Sequence, residues 1–115
     1  MKKLLLLIAC MVASHALAYT WTIKNNTAES IDVKVDAEIP GGRKELRHYS
    51  VTLEPNDKPK TISTGFACVY KVSASWTNNP DIADIWYPAV IWECPGRTIT
   101  VTSKDNQGLK ITVGS

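Results

Sequence analysis

The chain has 115 residues, with 13 Lys plus Arg against 11 Asp plus Glu. Two of the lysines, Lys2 and Lys3, belong to an apparent export leader; without them the rest carries 11 charges of each sign and no net charge. A neutral domain of mixed charge lacks the electrostatic footprint of a nucleic-acid or anionic-membrane binder.

Residues 1–18 read as a cleavable signal. Lys2 and Lys3 form its positive region, Leu4 to Ala13 its apolar core, and Ala16-Leu17-Ala18 its cleavage site, so the processed chain begins at Tyr19. The apolar run is about half of the roughly 20 residues that a membrane-spanning helix needs, so export without a transmembrane span is expected. Leu7-Ile8-Ala9-Cys10 resembles a lipid-attachment site and offers lipid anchoring at Cys10 as a minor alternative. The apolar run continues past that cysteine, which favours the ordinary signal. The style of the leader is bacterial and places the protein in the periplasm or outside the cell.

Tyr19 to Lys24 alternates Trp21 and Ile23 against Thr20, Thr22 and Lys24, the period of a half-buried strand. Asn25 to Glu29 is a turn, and Asn25-Asn26-Thr27 also fits a glycosylation sequon. In a bacterial protein those asparagines are turn formers. Ser30 to Ile39 alternates most cleanly, with Ile31, Val33, Val35 and Ala37 against Asp32, Lys34, Asp36 and Glu38. Such a charged outer face fits an antiparallel sheet with one wet side.

Pro40-Gly41-Gly42 ends that strand, and Arg43, Lys44, Arg47 and His48 gather nearby around Glu45. This basic group reads as a solvated hairpin rather than an anion site. Glu45 to Leu53 follows, with Tyr49, Val51 and Leu53 inward. After the turn from Glu54 to Pro59 comes a short strand, Lys60 to Thr64.

Cys68, Tyr70, Val72, Ala74 and Trp76 share one parity and are expected to face inward, with Val69, Lys71, Ser73 and Ser75 outward. Thr77 to Asp84 is expected to be a polar loop. The stretch from Ile82 to Trp92 is mostly apolar but broken by Pro88, which favours an edge, bulge or bend. Beyond it Val90, Trp92 and Cys94 share a face. After Pro95-Gly96, Arg97 to Ser103 and Leu109 to Val113 form two strands joined by a short loop, Lys104 to Gly108.

Cys68 and Cys94 are the two cysteines left after processing, so in an oxidising compartment a single disulfide is expected. Closing a loop of about 27 residues contributes roughly 3–4 kcal/mol in the chain-entropy account. That is a large share of the 5–15 kcal/mol typical of a small domain. Seven or eight short strands with no sustained helical period indicate one antiparallel β-sandwich, immunoglobulin-like, over residues 19–115; a small β-barrel is the alternative.

Catalysis is not expected. His48 is the one histidine left after processing, and no nucleophile elbow, phosphate-binding glycine loop or zinc-ligand spacing occurs. Asn78, Asn79, Asp81 and Asp84 supply hard oxygen ligands but match no calcium loop, so no metal and no cofactor are expected. Trp21, Trp76 and Trp92 fall at core positions. Trp86 and Tyr87 adjoin Pro88 and are the candidate contact platform, with Asn78, Asn79, Asp81 and Asp84 as polar companions.

The expected function is therefore non-catalytic binding, by a monomer or weak oligomer, of a partner of unknown identity. A protein partner would use the Trp86-Tyr87 region as a hot spot. In the alternative, a carbohydrate-binding module, exposed rings would stack on sugars while the polar group bonds their hydroxyls.

Overall fold

A computed structural model describes residues 18–41, 45–90, 92–105 and 108–114. Residues 1–17, which include Cys10 and nearly all of the expected leader, the basic residues Arg43 and Lys44, and the loop residues Asn106 and Gln107 lie outside the described residues. The chain folds into eight strands: β1 (Tyr19–Asn26), β2 (Ile31–Ile39), β3 (Glu45–Leu53), β4 (Lys60–Gly65), β5 (Cys68–Trp76), β6 (Asn79–Trp86), β7 (Thr98–Ser103) and β8 (Leu109–Gly114). They form two four-stranded sheets packed as a sandwich, one ordered β4-β1-β7-β8 and the other β3-β2-β5-β6. No helix among the described residues is long and apolar enough to cross a membrane.

Alternating hydrophobicity builds both layers. Trp21 and Ile23 from β1 with Ile99 and Val101 from β7 meet Ile31, Val33 and Val35 from β2 and Val72, Ala74 and Trp76 from β5. Trp21 is fully buried, yet its indole N–H has no acceptor. An unsatisfied donor costs about 1–3 kcal/mol, whereas burying roughly 200 Å² of aromatic surface is worth about 5 kcal/mol. Packing wins at the centre of the core.

Three departures from simple alternation shape the molecule. First, β1 and β7 run parallel, so the first sheet is mixed rather than purely antiparallel. The strands on either side, β4 and β8, pair antiparallel to their neighbours.

Second, β5 carries a bulge. Asp36 and Ala37 are consecutive on β2, but they face Lys71 and Val69, leaving Tyr70 as the extra residue. The bulge resets the parity, so Val69 turns into the core and Tyr70 is displaced to a half-buried position, the reverse of the alternation expected from sequence.

Third, the polar stretch from Thr77 to Asp84 is not a loop. Thr77 and Asn78 make a tight turn, and β6 begins at Asn79. The register between β5 and β6 jumps between Ser75 and Trp76, which absorbs Pro80, Asp81 and Ile82 as a wide irregularity on an edge strand. An edge strand tolerates the donor that Pro80 lacks. The strand then stops at Trp86, and the chain crosses to the other sheet before β7; the described residues of 87–97 have no regular structure apart from one bridge.

That crossing is fastened at several points. Cys94 is disulfide-bonded to Cys68. Beside it the backbones of Val69 and Glu93 exchange hydrogen bonds of 2.9 and 2.8 Å, and the Thr22 amide donates to the Arg97 carbonyl at 3.0 Å. Arg97 Nε lies 2.9 Å from Glu93 Oε1. Gly96 passes so close to β1 that an added Cβ would stand 1.7 Å from the Thr20 carbonyl oxygen, so only glycine fits there. Cys68 is thus buried beneath the crossing chain rather than in the central core.

The Cys68→Ser/Cys94→Ser double variant is expected to lose about 2–4 kcal/mol of stability. Chemical denaturation of residues 19–115 measures it, and a loss below about 1 kcal/mol would mean that the backbone bridge and Gly96 packing fix the crossing unaided.

Candidate functional site

The sequence-predicted contact residues do not come together. Trp86 lies on the inward parity of β6, paired opposite Val72, and packs half-buried against the core beside Ile82. It is therefore not an exposed platform. Tyr87, one residue past the strand, is 62% exposed. Asn78, Asn79 and Asp81 are exposed at the opposite end of the same strand. At about 3.3 Å per residue, roughly 20–30 Å separate them from Tyr87, so a sugar resting on that ring would not reach them.

Asp84 does structural work. Its Oδ2 accepts the backbone N–H of Ile111 at 2.8 Å, linking β6 of one sheet to the edge strand β8 of the other. Edge strands present unpaired backbone groups that invite association, and covering them is a common remedy. The same device closes the diagonal corner. Lys60 Nζ donates to the Thr52 carbonyl at 2.8 Å, and Asn25 Nδ2 donates to the Leu53 carbonyl at 3.0 Å.

Asn25 belongs to a closed network. Its Oδ1 accepts the Thr27 amide and hydroxyl at 2.9 and 2.6 Å, while its Nδ2 also donates to the Glu29 carbonyl at 2.9 Å. Both side chains are buried, which makes the Asn-Asn-Thr segment a turn staple and leaves Asn25 no room for a glycan.

A different set of residues gathers at the disulfide end of the sandwich. Leu46, Phe66, Tyr87 and Val90 are each at least 55% exposed; Ile85, 48% exposed, stands farther from the disulfide along β6. Their placement follows from the register. Leu46 and Cys68 are both opposite Glu38 on β2, on its two sides. Phe66 occupies the turn between β4 and β5 immediately before the cysteine, made possible by the left-handed Gly65 at φ 61°. Tyr87 and Val90 lie on the crossing segment that Cys94 anchors, and Ile85 is opposite Ser73 on the outer face. Of Trp21, Trp76 and Trp92, the first two are buried core, whereas Trp92 is half-buried on the crossing segment. Sequence reasoning placed Val90 on a packed strand face and passed over Phe66 and Leu46. An isolated apolar residue in a turn carries no periodic signal.

The outer face of the second sheet is polar. Asp36 is buried on it, and His48 Nδ1 donates to its Oδ1 at 2.6 Å. Lys71 lies opposite Asp36 on the other side. The phenol of Tyr70, pushed aside by the bulge, has its pKa raised above the ordinary value, first by desolvation and then by the carboxylates of Asp36 and Glu38. Among the described residues, no three of His, Cys, Asp and Glu are placed to share a metal ion. Comparison with protein-family models, with characterised proteins and with solved structures finds no match.

Two measurements test these assignments. Asp84→Ala strands the Ile111 N–H and is expected to cost about 1–3 kcal/mol, with faster hydrogen exchange at Ile111; unchanged exchange would show that the carboxylate does not cover that edge. In an ultraviolet alkaline titration Tyr70 is expected to ionise above the ordinary tyrosine pKa of about 10, a component that Tyr70→Phe removes. Because the folded-state pKa is raised, stability attached to this phenol is full below the ordinary value and declines as pH rises through it. A titration curve identical in the variant would refute the assignment.

Proposed function

We propose that this protein is a small exported, non-catalytic binding domain, secreted or periplasmic, that contacts a protein partner with the disulfide end of its sandwich. One observation carries the reading. Among the described residues, four of the five exposed large apolar side chains, Leu46, Phe66, Tyr87 and Val90, fall at that end beside the anchored crossing segment. Single exposed apolar residues are ordinary, but a group of them including aromatics is the usual make-up of a contact surface.

The disulfide supports the compartment, since such bonds persist where the surroundings are oxidising. It also supports the contact surface. A segment fixed by a covalent bond and a backbone bridge presents Tyr87 and Val90 with little ordering entropy left to lose on binding. The carbohydrate alternative loses ground at this end, because Trp86 turns inward and the polar turn residues lie at the far end of β6.

The test is a pull-down with processed protein as bait in its native extracytoplasmic milieu, repeated with the Phe66→Ser/Tyr87→Ser variant. The variant is expected to keep its melting temperature and to lose the captured protein at least about tenfold, as removal of two hot-spot rings implies. Trp86→Ala serves as the contrast and is expected to lower stability instead, since its ring packs on the core. Equal capture by wild type and the double variant would refute the proposal.

A further inference from the structure

The four edge strands of the two sheets are not equally protected. β6 carries Pro80 and a wide irregularity, β4 and β8 are six residues each, and Asp84 takes the Ile111 amide of β8. Proline, irregularity, short length and coverage are the usual means of keeping an edge from pairing with another chain. β3 lacks the first three. It is nine residues long, contains no proline, and its register with β2 runs unbroken from Leu53 opposite Ile31 to Glu45 opposite Ile39. Among the described residues, coverage reaches its last two positions, where Lys60 Nζ holds the Thr52 carbonyl and Asn25 Nδ2 the Leu53 carbonyl.

Two bonds at the strand ends fix which way the backbone groups of β3 point. The Thr77 amide donates to the Ser30 carbonyl at 3.1 Å, so even-numbered residues of β2 turn toward β5 and odd-numbered ones toward β3. Opposed residues of an antiparallel pair alternate between bonding each other and turning away. Val33, Val35 and Ala37 therefore bond to Val51, Tyr49 and Arg47. The even-numbered residues of β3 face away from β2, as the reach of Lys60 from the other sheet to the Thr52 carbonyl requires. Leu46, His48 and Ser50 are exposed, and each turns an N–H and a C=O to the open edge. These three positions are symmetric about His48.

We propose that this edge pairs antiparallel with the same edge of a second copy of the chain, about a two-fold axis through His48. Leu46 then opposes Ser50 of the second copy, and the three opposed pairs exchange all the open backbone groups. Sliding the register by two residues either brings in Thr52, which Lys60 already holds, or carries Ser50 past the start of the strand. The side chains fit the same register. On the outer face Leu46 and Ser50 are uncharged, and each His48 bonds Asp36 of its own sheet at 2.6 Å, which supplies a counter-charge. On the inner face Arg47 opposes Tyr49 of the second copy, a cation–π pairing, while Glu45 at 3.5 Å balances the guanidinium. Each copy spends one edge, so the assembly closes at two. So short a contact buries well under the roughly 800 Å² per partner of a stable complex, and a weak dimer with a Kd of about 0.1–1 mM is expected. The dimer does not rest on the protein-contact reading, since it is made by the backbone of β3 and involves neither Phe66, Tyr87 nor Val90.

Sedimentation equilibrium of residues 19–115 from about 20 μM to about 2 mM is expected to show monomer passing into dimer. Over the same range, NMR-detected solvent exchange at the Leu46, His48 and Ser50 amides is expected to slow roughly two- to fivefold, as the dimer population at that Kd implies. The amides of Arg47, Tyr49 and Val51, already bonded to β2, are expected to exchange slowly and equally at both concentrations. Ser50→Pro removes an N–H that faces away from β2, so it is expected to keep the monomer's spectrum and to weaken the dimer at least about tenfold. A protein still monomeric at about 2 mM, protection without the even–odd alternation, or an undiminished dimer in a folded Ser50→Pro would each overturn the proposal. The exchange pattern is read on the unsubstituted chain, so it decides the matter even where the proline variant does not fold.

Discussion

The bond between Cys68 and Cys94 is the constraint on which the rest of this structure depends. It ties the start of β5 to the irregular segment that carries the chain from one sheet to the other. The described residues of 87–97 have few regular hydrogen bonds of their own, so without a fastening they would keep much of their backbone freedom, at about 1–2 kcal/mol per residue. The Val69–Glu93 bridge, the Arg97–Glu93 pair and the close pass of Gly96 over Thr20 all sit within three residues of Cys94. Covalent closure and local contacts act on the same short segment, and together they set where β7 enters the first sheet.

The bulge at Tyr70 is the matching adjustment on the other side of that bond. Regular alternation through β5 would have put Cys68 in the central core and Val69 on the outside. One extra residue exchanges them. Val69 then fills the core, and Cys68 is left under the crossing chain, where a partner cysteine can reach it. The cost is a tyrosine displaced toward Asp36 and Glu38, a location that disfavours its ionisation. A local irregularity thereby reconciles a continuous hydrophobic layer with a disulfide outside it.

The two corners of the sandwich are closed by polar side chains instead of further strands. Asp84 covers an amide of β8, while Lys60 and Asn25 cover carbonyls at the end of β3. These bonds occupy edge groups that would otherwise invite pairing with another chain. They give Asp84 a bond within the fold, whereas its neighbours Asn78, Asn79 and Asp81 are exposed with no such tie. The surfaces left over are of two kinds: an apolar cluster at the disulfide end and the open edge of β3.

Read alone, the sequence determined the all-β class and most of the core and pointed to a sandwich with one disulfide, because period-two alternation and cysteine count are local properties of the chain. Ile31, Val33 and Val35 face inward as their spacing requires, and Trp21 and Trp76 are buried as expected. Only the tertiary structure decided the parallel pairing of β1 with β7, since partner choice between distant strands leaves no local mark. The same holds for the bulge, which trades positions of residues that look alike in pattern, and for Thr77 to Asp84, where turn-forming residues serve as a wide irregularity on an edge strand. The candidate surfaces belong to this second group. Trp86 looked like a platform because Pro88 breaks the strand, but the strand ends before the proline and its last side chain still points into the core. Phe66 and Leu46 acquire meaning only when the turn and the hairpin bring them to the end held by Cys68 and Cys94.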